Sequence, residues 1–226
     1  MKKILLIISV LIYSTASIAH IGHYNDYKKF EMEIFRNGKL IGYNYYFFNK
    51  KGYETIVTNQ IKFSVKLLGK IIFQVEGYGE EKYFHDQLIS YNSKTLQNDK
   101  EKFVNLVFDE DKNSFNIKGS SFTGEASLNN IIGNWWNHKI LQTDSQISPI
   151  SGSVKKQVVT YVGKEKIKQY GSTYEVDHFT LKSKDMSQSK DKRLNFDIWY
   201  DRKNFRIIKI SYSRMGTWEY RLKNVE

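Results

Sequence analysis

The sequence contains no cysteine, and only one of its 226 residues is proline. Without cysteine the chain has no disulfide, no thiol nucleophile and no thiolate metal ligand. The scarcity of proline suits long strands, because proline removes a backbone donor from a sheet. The standard motifs of zinc proteases, serine hydrolases and phosphate-binding loops are also missing. We therefore predict a protein that is not an enzyme and needs no cofactor.

Long apolar runs are absent as well, except for one at the N-terminus. Lys2 and Lys3 precede an apolar stretch over 4–13, and the segment ends in Ser17-Ile18-Ala19. This order is typical of a cleaved export signal, since crossing a bilayer takes roughly 20 apolar residues. We predict that 1–19 is a signal peptide and that 20–226 forms one domain in the periplasm. An uncleaved membrane anchor is the alternative.

The chain is basic, with a formal net charge of +11, and loss of Lys2 and Lys3 leaves 11 − 2 = +9. A basic balance can indicate nucleic acid or an anionic membrane surface as the partner. Export argues against nucleic acid. Two interpretations of the scattered lysines stay open: a compositional bias without function, or attraction to acidic lipid head groups.

Alternation with a period of two dominates the sequence. Apolar residues such as Phe30 and Ile34 alternate with charged ones, which is typical of a strand with one wet face. The dipeptide Asn37-Gly38 follows and is a strong hairpin signal. The next strand places Tyr43 and Tyr45 on one face.

Further strands are predicted along most of the chain. They lie near 53–67, 70–84, 87–96, 101–109, 113–118, 154–163, 172–183, 193–201, 204–213 and 217–223. About a dozen antiparallel strands cannot lie flat in one sheet. The predicted fold class is all-β and mostly antiparallel, with about 11–12 strands curled into a half-barrel or barrel. The long break over 119–152 is expected to supply a short helix or loop as a lid.

This break contains the stretch NWWNHKIL at 134–141. Apolar residues at 128, 131, 132 and 135 permit a short helix there. One interpretation is that the lid is core and fills the barrel. Another is that it gates an apolar pocket, and catalysis through His138 is a third. The proposed pocket residues are Trp135, Trp136, His138, Tyr43, Tyr45, Phe73 and Phe196.

The stretch SVKLLGKIIFQV at 64–75 is apolar on both strand faces. It is either a hairpin tip buried under another element or a tip that touches lipid. In the second case Leu67, Leu68 and Ile71 would contact the membrane, and the amine of Lys70 would reach the head groups.

Two other patterns are weaker. Asp109, Asp111 and Asn113 match the first ligands of a calcium loop, but the required glycine does not follow, so we predict a hairpin turn. Glu80 and Glu81 are neighbours in a strand and point to opposite faces, which rules them out as an acid–base pair.

Several segments together resemble one family of exported bacterial proteins, that of domain of unknown function 6134. They are NGKLIGYNYYFF, VKLLGKIIFQVEGYGEEKYF, NWWNHKIL, FDIWYD and GTWEYRL, spread over the mature chain. Where a typical member has the pattern YWNP, this chain has Trp135-Trp136-Asn137-His138, so that turn is expected to differ. The resemblance implies no catalytic residue. It implies a fold similar to the curled half-barrel of periplasmic lipoprotein carriers, which hold acyl chains.

Three functions follow, from different classes. The first, which we favour, is a carrier or sensor that binds a lipid, a lipoprotein or another apolar ligand in its concavity. The second is a structural or adaptor protein of the cell envelope with a filled core. The third is an unrecognised hydrolase. The oligomeric state is not predicted.

Overall fold

Strands joined by tight turns make up most of the chain. The computed structural model describes residues 20–24, 26–187, 189 and 193–226, so the predicted signal peptide lies outside the described residues. Two 3-10 helices span His20–Tyr24 and His138–Gln142. The strands are β1 (Lys29–Arg36), β2 (Lys39–Lys51), β3 (Glu54–Leu67), β4 (Lys70–Phe84), β5 (Gln87–Gln97), β6 (Lys100–Asp109), β7 (Ser114–Gly119), β8 (Thr123–Ser127), β9 (Ile131–Ile132), β10 (Ser145–Ile147), β11 (Val154–Gln169), β12 (Ser172–Ser183), β13 (Asn195–Asp201), β14 (Ile207–Ser213) and β15 (Thr217–Val225).

All fifteen strands form one sheet in the order β8-β7-β6-β5-β4-β3-β2-β1-β15-β14-β13-β12-β11-β10-β9. Neighbouring strands run antiparallel, except that β9 runs parallel to β10. The predicted all-β, mostly antiparallel fold class is confirmed. Three short strands, β8, β9 and β10, lie within the expected break. The sequence does not predict them, because two to five residues are too few to show alternation. No helix among the described residues is long and apolar enough to cross a membrane.

The sheet curls until its two edges approach each other, but it does not close into a barrel. The edge strands β8 and β9 are joined by only three residues, 128–130. Since consecutive Cα atoms lie about 3.8 Å apart, the edges are no more than about 15 Å apart at this point. The result is one concave face, which holds the hydrophobic core, and one convex face towards solvent.

The strand register decides which phase of β2 faces inward. Phe30 and Met32 of β1 are fully buried and pair with Tyr46 and Asn44 of β2, which are also buried. Tyr43 and Tyr45 therefore lie on the convex face. Their rings stack 4.4 Å apart, and the ammonium of Lys29 lies 4.8 Å from the centre of the Tyr45 ring. The expectation that Tyr43 and Tyr45 line the concavity is wrong.

Antiparallel connections place successive turns at opposite ends of the sheet. We call end A the end with the turns at 37–38, 68–69, 98–99 and 215–216. End B carries the turns at 52–53, 85–86, 110–113 and 170–171. Asn37 and Gly38 have φ of 50° and 75°, as the hairpin signal in the sequence required.

Candidate functional site

The chain itself occupies the concavity. Residues 128–153, which we call the crossing segment, run from the β8 edge to β11 and include β9, one 3-10 helix and β10. Trp136 is 0% exposed, and Asn134, Asn137, His138 and Ile140 are also buried. The crossing segment thus packs inside the curl as part of the core.

The local structure of the crossing segment differs from the expected helix. Its apolar residues at 131 and 132 form strand β9, and the helix begins only at His138. Asn137 caps that helix, because its side-chain oxygen accepts a hydrogen bond of 3.0 Å from the backbone N–H of Lys139. Parallel pairing of β9 with β10, a tertiary contact, outweighed the helical spacing.

Trp136 is held by a buried carboxylate on β4. The indole N–H of Trp136 donates to Glu81 Oε1 over 2.8 Å, and Asn134 Nδ2 donates to the same oxygen over 2.7 Å. The Tyr83 hydroxyl donates to Glu81 Oε2. Burial raises the pKa of the Glu81 carboxyl above its usual value, although these three donors oppose that shift. Glu81 therefore joins the sheet to the crossing segment.

His138 is fixed from the N-terminal helix. Its Nδ1 lies 2.9 Å from the Tyr24 hydroxyl, and its backbone N–H donates to the same oxygen over 3.1 Å. The His138 ring stacks on Phe205 with centroids 4.8 Å apart. Tyr24 also packs edge-on against Trp136 at 5.0 Å. Sequence reasoning missed Tyr24, because nothing in its local pattern marks it as core.

Three further polar contacts hold the crossing segment. The Tyr200 hydroxyl donates to the Trp135 carbonyl over 2.7 Å, and the Tyr91 hydroxyl donates to the Pro149 carbonyl over 2.9 Å. Gln157 Nε2 donates to the Ile140 carbonyl over 2.9 Å. These anchors come from β5, β11 and β13, on both sides of the curl. The segment is thus tied down along its length.

The other proposed pocket aromatics are half-buried and pack against the core. Trp135 meets Phe196 with ring centroids 5.2 Å apart and Tyr220 at 5.3 Å. Phe73 lies far from this group in the sheet order and packs on Phe63 at 5.9 Å. The structure therefore brings Trp135 and Phe196 into direct contact. Phe73 is connected to them only indirectly, since Phe63 packs on Trp218 at 5.5 Å, Trp218 on Tyr212 at 5.7 Å and Tyr212 on Phe196 at 5.3 Å.

That hairpin is exposed. Leu68 is 95% exposed and Leu67 is 60% exposed, and Ile71 and Ile72 are exposed to about half. Leu68 and Gly69 form the turn, with φ of 49° and 80°. The interpretation that this tip is buried under another element is therefore wrong. Four apolar side chains instead face solvent beside Lys70.

The tip belongs to a larger surface at end A, which we call the basic edge. It consists of residues 35–40, 66–72 and 213–218, three turns whose strands are neighbours in the sheet. These stretches contain no acidic residue. Two of the turns are tied together, because the Thr217 backbone N–H donates to Asn37 Oδ1 over 2.8 Å. The exposed apolar residues of the basic edge are Leu40, Leu67, Leu68, Ile71, Ile72 and Met215, and its cations are Arg36, Lys39, Lys66, Lys70 and Arg214.

The remaining polar patterns have structural partners. Asp109 Oδ1 accepts from the Lys112 backbone N–H over 3.1 Å, as in a hairpin turn. Glu81 is buried, whereas Glu80 lies on the other face near Lys82 at 3.5 Å. His178 stacks on Trp199 at 4.3 Å on the convex face. Within the described ranges no group of three or more His, Asp or Glu side chains is arranged to hold a metal ion.

Comparison with known proteins agrees with this architecture. The family model for a domain of unknown function, DUF6134, matches residues 32–223. The chain is similar to a crystal structure of a β-barrel-like protein of domain of unknown function DUF1849 from Brucella abortus, with a TM-score of 0.61 and 11% identity over 88% of this chain and 95% of that chain. At this identity the likeness shows the fold alone.

A protein of Bacteroides fragilis with a YmcC-like fold has a TM-score of 0.36 and 10% identity over 88% of this chain and 94% of that chain. That score is too low to carry an argument. No curated protein matches the chain.

Proposed function

We propose that this chain, which belongs to the domain of unknown function 6134 family, is an exported, non-enzymatic protein. It binds an anionic lipid surface through its basic edge. The observation that carries the proposal is the exposed tip of the β3–β4 hairpin, where Leu67 and Leu68 project between Lys66 and Lys70. Lipid is thus bound at the outside of the sheet and not within its concavity.

The apolar side chains at the turns of the basic edge are mostly exposed to water. A leucine side chain that leaves water completely gains about 1.5–3 kcal/mol. Leu68 at 95% exposure has nearly all of that gain still available, and Leu67 at 60% has more than half. Met215, 87% exposed, lies at the same end on the β14–β15 turn, and the β1–β2 turn lies between that turn and the Leu67–Leu68 tip. Contact with the acyl–head-group boundary would remove all three from water.

The charges of the basic edge favour an anionic surface over a neutral one. Lys66 and Lys70 flank the apolar tip, and Lys39 lies on the adjacent turn. Each cation near an anionic leaflet contributes about 1 kcal/mol. A lysine stem lies along the apolar boundary while its ammonium stays with the phosphates. The electrostatic contribution predicts binding that weakens as the ionic strength rises.

The filled concavity supports this choice over a ligand carried inside. Trp136, Ile140 and Ile147 are fully buried there, and Glu81 fixes Trp136 by a hydrogen bond of 2.8 Å. An acyl chain would have to displace these side chains and leave the buried Glu81 carboxylate without two of its donors. That exchange is unfavourable.

Vesicle binding tests the proposal. Residues 20–226 are mixed with vesicles of phosphatidylcholine, with or without phosphatidylglycerol, and sedimented. We expect binding to the vesicles that contain phosphatidylglycerol, and we expect added salt to weaken it. The double variant Leu67→Ser/Leu68→Ser should bind at least about tenfold more weakly, since loss of the two apolar contacts removes more than about 1.4 kcal/mol.

The matched control is Tyr53→Ser/Phe84→Ser, which removes two exposed aromatic residues at end B. It should bind as the unchanged protein does. Equal binding of both double variants, or no binding to either kind of vesicle, contradicts the proposal.

Export is tested separately. N-terminal sequencing of the protein from a periplasmic extract should begin at His20, the residue after Ala19. Recovery of a chain that still begins at Met1, or recovery from the cytoplasm alone, contradicts this part of the proposal.

A further inference from the structure

A cleft at end B, opposite the basic edge, has a lining suited to a small polar ligand. Its volume is about 430 Å³, and it opens to solvent between the β4–β5 turn, the start of the crossing segment and the 3-10 helix at 138–142. Ligand pockets usually measure about 300–1,000 Å³. None of the residues proposed from the sequence lines this cleft.

Side-chain amides dominate the polar lining. Each amide offers one acceptor oxygen and two N–H donors, so a group of them can match both the donor and the acceptor of each hydroxyl on a ligand. Thr143 adds a hydroxyl to the same wall. The amide residues of the cleft are Gln87, Asn129, Asn130, Asn137 and Gln142. Part of their capacity is already used, because Asn137 Oδ1 accepts from the Lys139 backbone N–H and Gln87 Nε2 donates to the Leu88 carbonyl over 3.0 Å.

The charges of the cleft disfavour an anionic ligand. Asp86 and Asp144 contribute carboxylates and Lys139 one ammonium, which gives one net negative charge. Carboxylates accept strong hydrogen bonds from hydroxyl groups. They would repel a phosphate or a fatty-acid head group. The cleft thus differs in chemistry from the basic edge.

The floor of the cleft is apolar. Tyr83, Leu88, Phe115 and Ile131 contribute to the lining and are otherwise buried. An apolar floor beneath a polar wall matches a sugar ring, which has C–H groups on its faces and hydroxyls around its edge. Aromatic residues are suited to such mixed contacts.

One lining residue carries a buried acceptor without a hydrogen bond. Asn130 Nδ2 donates to the Ser127 carbonyl over 2.9 Å, whereas Asn130 Oδ1 is buried and accepts no hydrogen bond within the described part of the chain. An unsatisfied buried acceptor is unfavourable.

The walls of the cleft are already held in place. Asn137 caps the 3-10 helix, and Thr143 follows that helix, with its carbonyl accepting from Gln157 Nε2 over 3.0 Å. The Asn130 backbone N–H donates to the Ser127 carbonyl over 3.0 Å. Ligand binding therefore requires little further ordering of these walls, so the loss of conformational entropy on binding is small.

From these features the geometry points to a binding site for a neutral saccharide at end B. The site goes beyond the proposed lipid contact and does not depend on it, because the two surfaces lie at opposite ends of the sheet. A molecule docked by its basic edge would present this cleft away from the lipid.

Nuclear magnetic resonance titration of the ¹⁵N-labelled protein tests the site. The probes are cellobiose, maltose and N,N′-diacetylchitobiose, with glucuronate as an anionic comparator. We expect at least one neutral disaccharide to shift the side-chain amide signals of Asn129, Asn130 and Gln142 in a saturable way at millimolar concentration. Glucuronate should bind more weakly.

The variant Asn129→Ala/Gln142→Ala removes two exposed lining amides and should weaken the binding of that disaccharide about tenfold, the effect of two lost hydrogen bonds. The matched control Gln60→Ala/Asn105→Ala removes two exposed amides outside the cleft and should bind normally. The inference is overturned if no neutral disaccharide causes saturable shifts, if glucuronate binds equally well, or if the two double variants bind alike.

Discussion

Replacement of Glu81 by two different residues tests how the crossing segment is held. In Glu81→Leu, three buried donors lose their acceptor: Asn134 Nδ2, the indole N–H of Trp136 and the Tyr83 hydroxyl. Each unsatisfied buried group is unfavourable by about 1–3 kcal/mol. We therefore expect the free energy of unfolding to fall by at least about 3 kcal/mol, a large part of the roughly 5–15 kcal/mol typical of a domain.

Glu81→Gln has nearly the same shape and keeps one acceptor oxygen. That oxygen can still accept from Asn134 and Trp136, and the Tyr83 hydroxyl can rotate to accept from the new amide. The buried charge is lost at the same time. We expect this variant to unfold within about 1 kcal/mol of the unchanged protein at pH 7.

The pH dependence of stability follows from the raised pKa of Glu81. A carboxyl whose pKa is higher in the folded state binds protons more readily there, so its contribution makes the protein more stable as the pH falls through that raised pKa towards 4.5. Carboxyls with lowered pKa, such as those of Glu33 and Glu219, act in the opposite sense and only below about 4.5. Between pH 7 and pH 5 the effect of Glu81 is thus separable from theirs.

Urea unfolding followed by tryptophan fluorescence measures both effects. The unchanged protein should gain stability relative to Glu81→Gln as the pH is lowered from 7 to 5, because all other titrating groups cancel in that difference. The reasoning is refuted if Glu81→Leu lies within about 1 kcal/mol of the unchanged protein. A difference between the unchanged protein and Glu81→Gln that does not vary with pH refutes the raised pKa.

Two further pairs of substitutions probe the core and the sheet. Trp136→Ala should lower the free energy of unfolding by about 3–5 kcal/mol, because Trp136 is fully buried. Trp135→Ala should have a smaller effect, since Trp135 is half-buried. Equal losses of the two variants in urea unfolding would contradict the filled concavity. Gly42→Ala would place a Cβ 2.1 Å from the Lys62 carbonyl oxygen and should lower the stability measured by thermal unfolding by about 3 kcal/mol. Gly163→Ala has nothing within 4 Å of its Cβ, so it tests backbone strain alone at a φ of 156°. A Gly42→Ala variant as stable as the unchanged protein would show that the β2–β3 register adjusts freely.

Most of the long strands and their turns follow from the sequence, although the strand predicted over 154–163 extends to Gln169 and the one predicted over 204–213 begins at Ile207. The predicted strands over 53–67, 70–84 and 101–109 are observed as Glu54–Leu67, Lys70–Phe84 and Lys100–Asp109. Alternation and turn residues act over a few neighbouring positions, so they can be read without knowledge of the fold. The same holds for the separation of Glu80 from Glu81, which depends only on the geometry of a strand.

Alternation defines two faces of a strand but does not say which face turns inward. In β2 the more aromatic phase, with Tyr43 and Tyr45, lies outside, and the phase with Asn44 and Tyr46 lies inside. The inner phase is tolerated because Asn44 Nδ2 donates to the Tyr46 hydroxyl over 3.0 Å and Asn44 Oδ1 accepts from Asn59 over 2.6 Å. These partners come from side chains that only the folded sheet brings together.

The sequence by itself therefore determined the all-β class, the hairpins, the single long break and the apolar hairpin between β3 and β4. Only the tertiary structure decided that the break fills the concavity, that the hairpin tip stays exposed and that a polar cleft opens at end B. The physical reason is the range of the interactions. Strand and turn preferences are local, whereas the contacts of Glu81 with Trp136 and of Tyr24 with His138 join residues 55 and 114 positions apart in the chain.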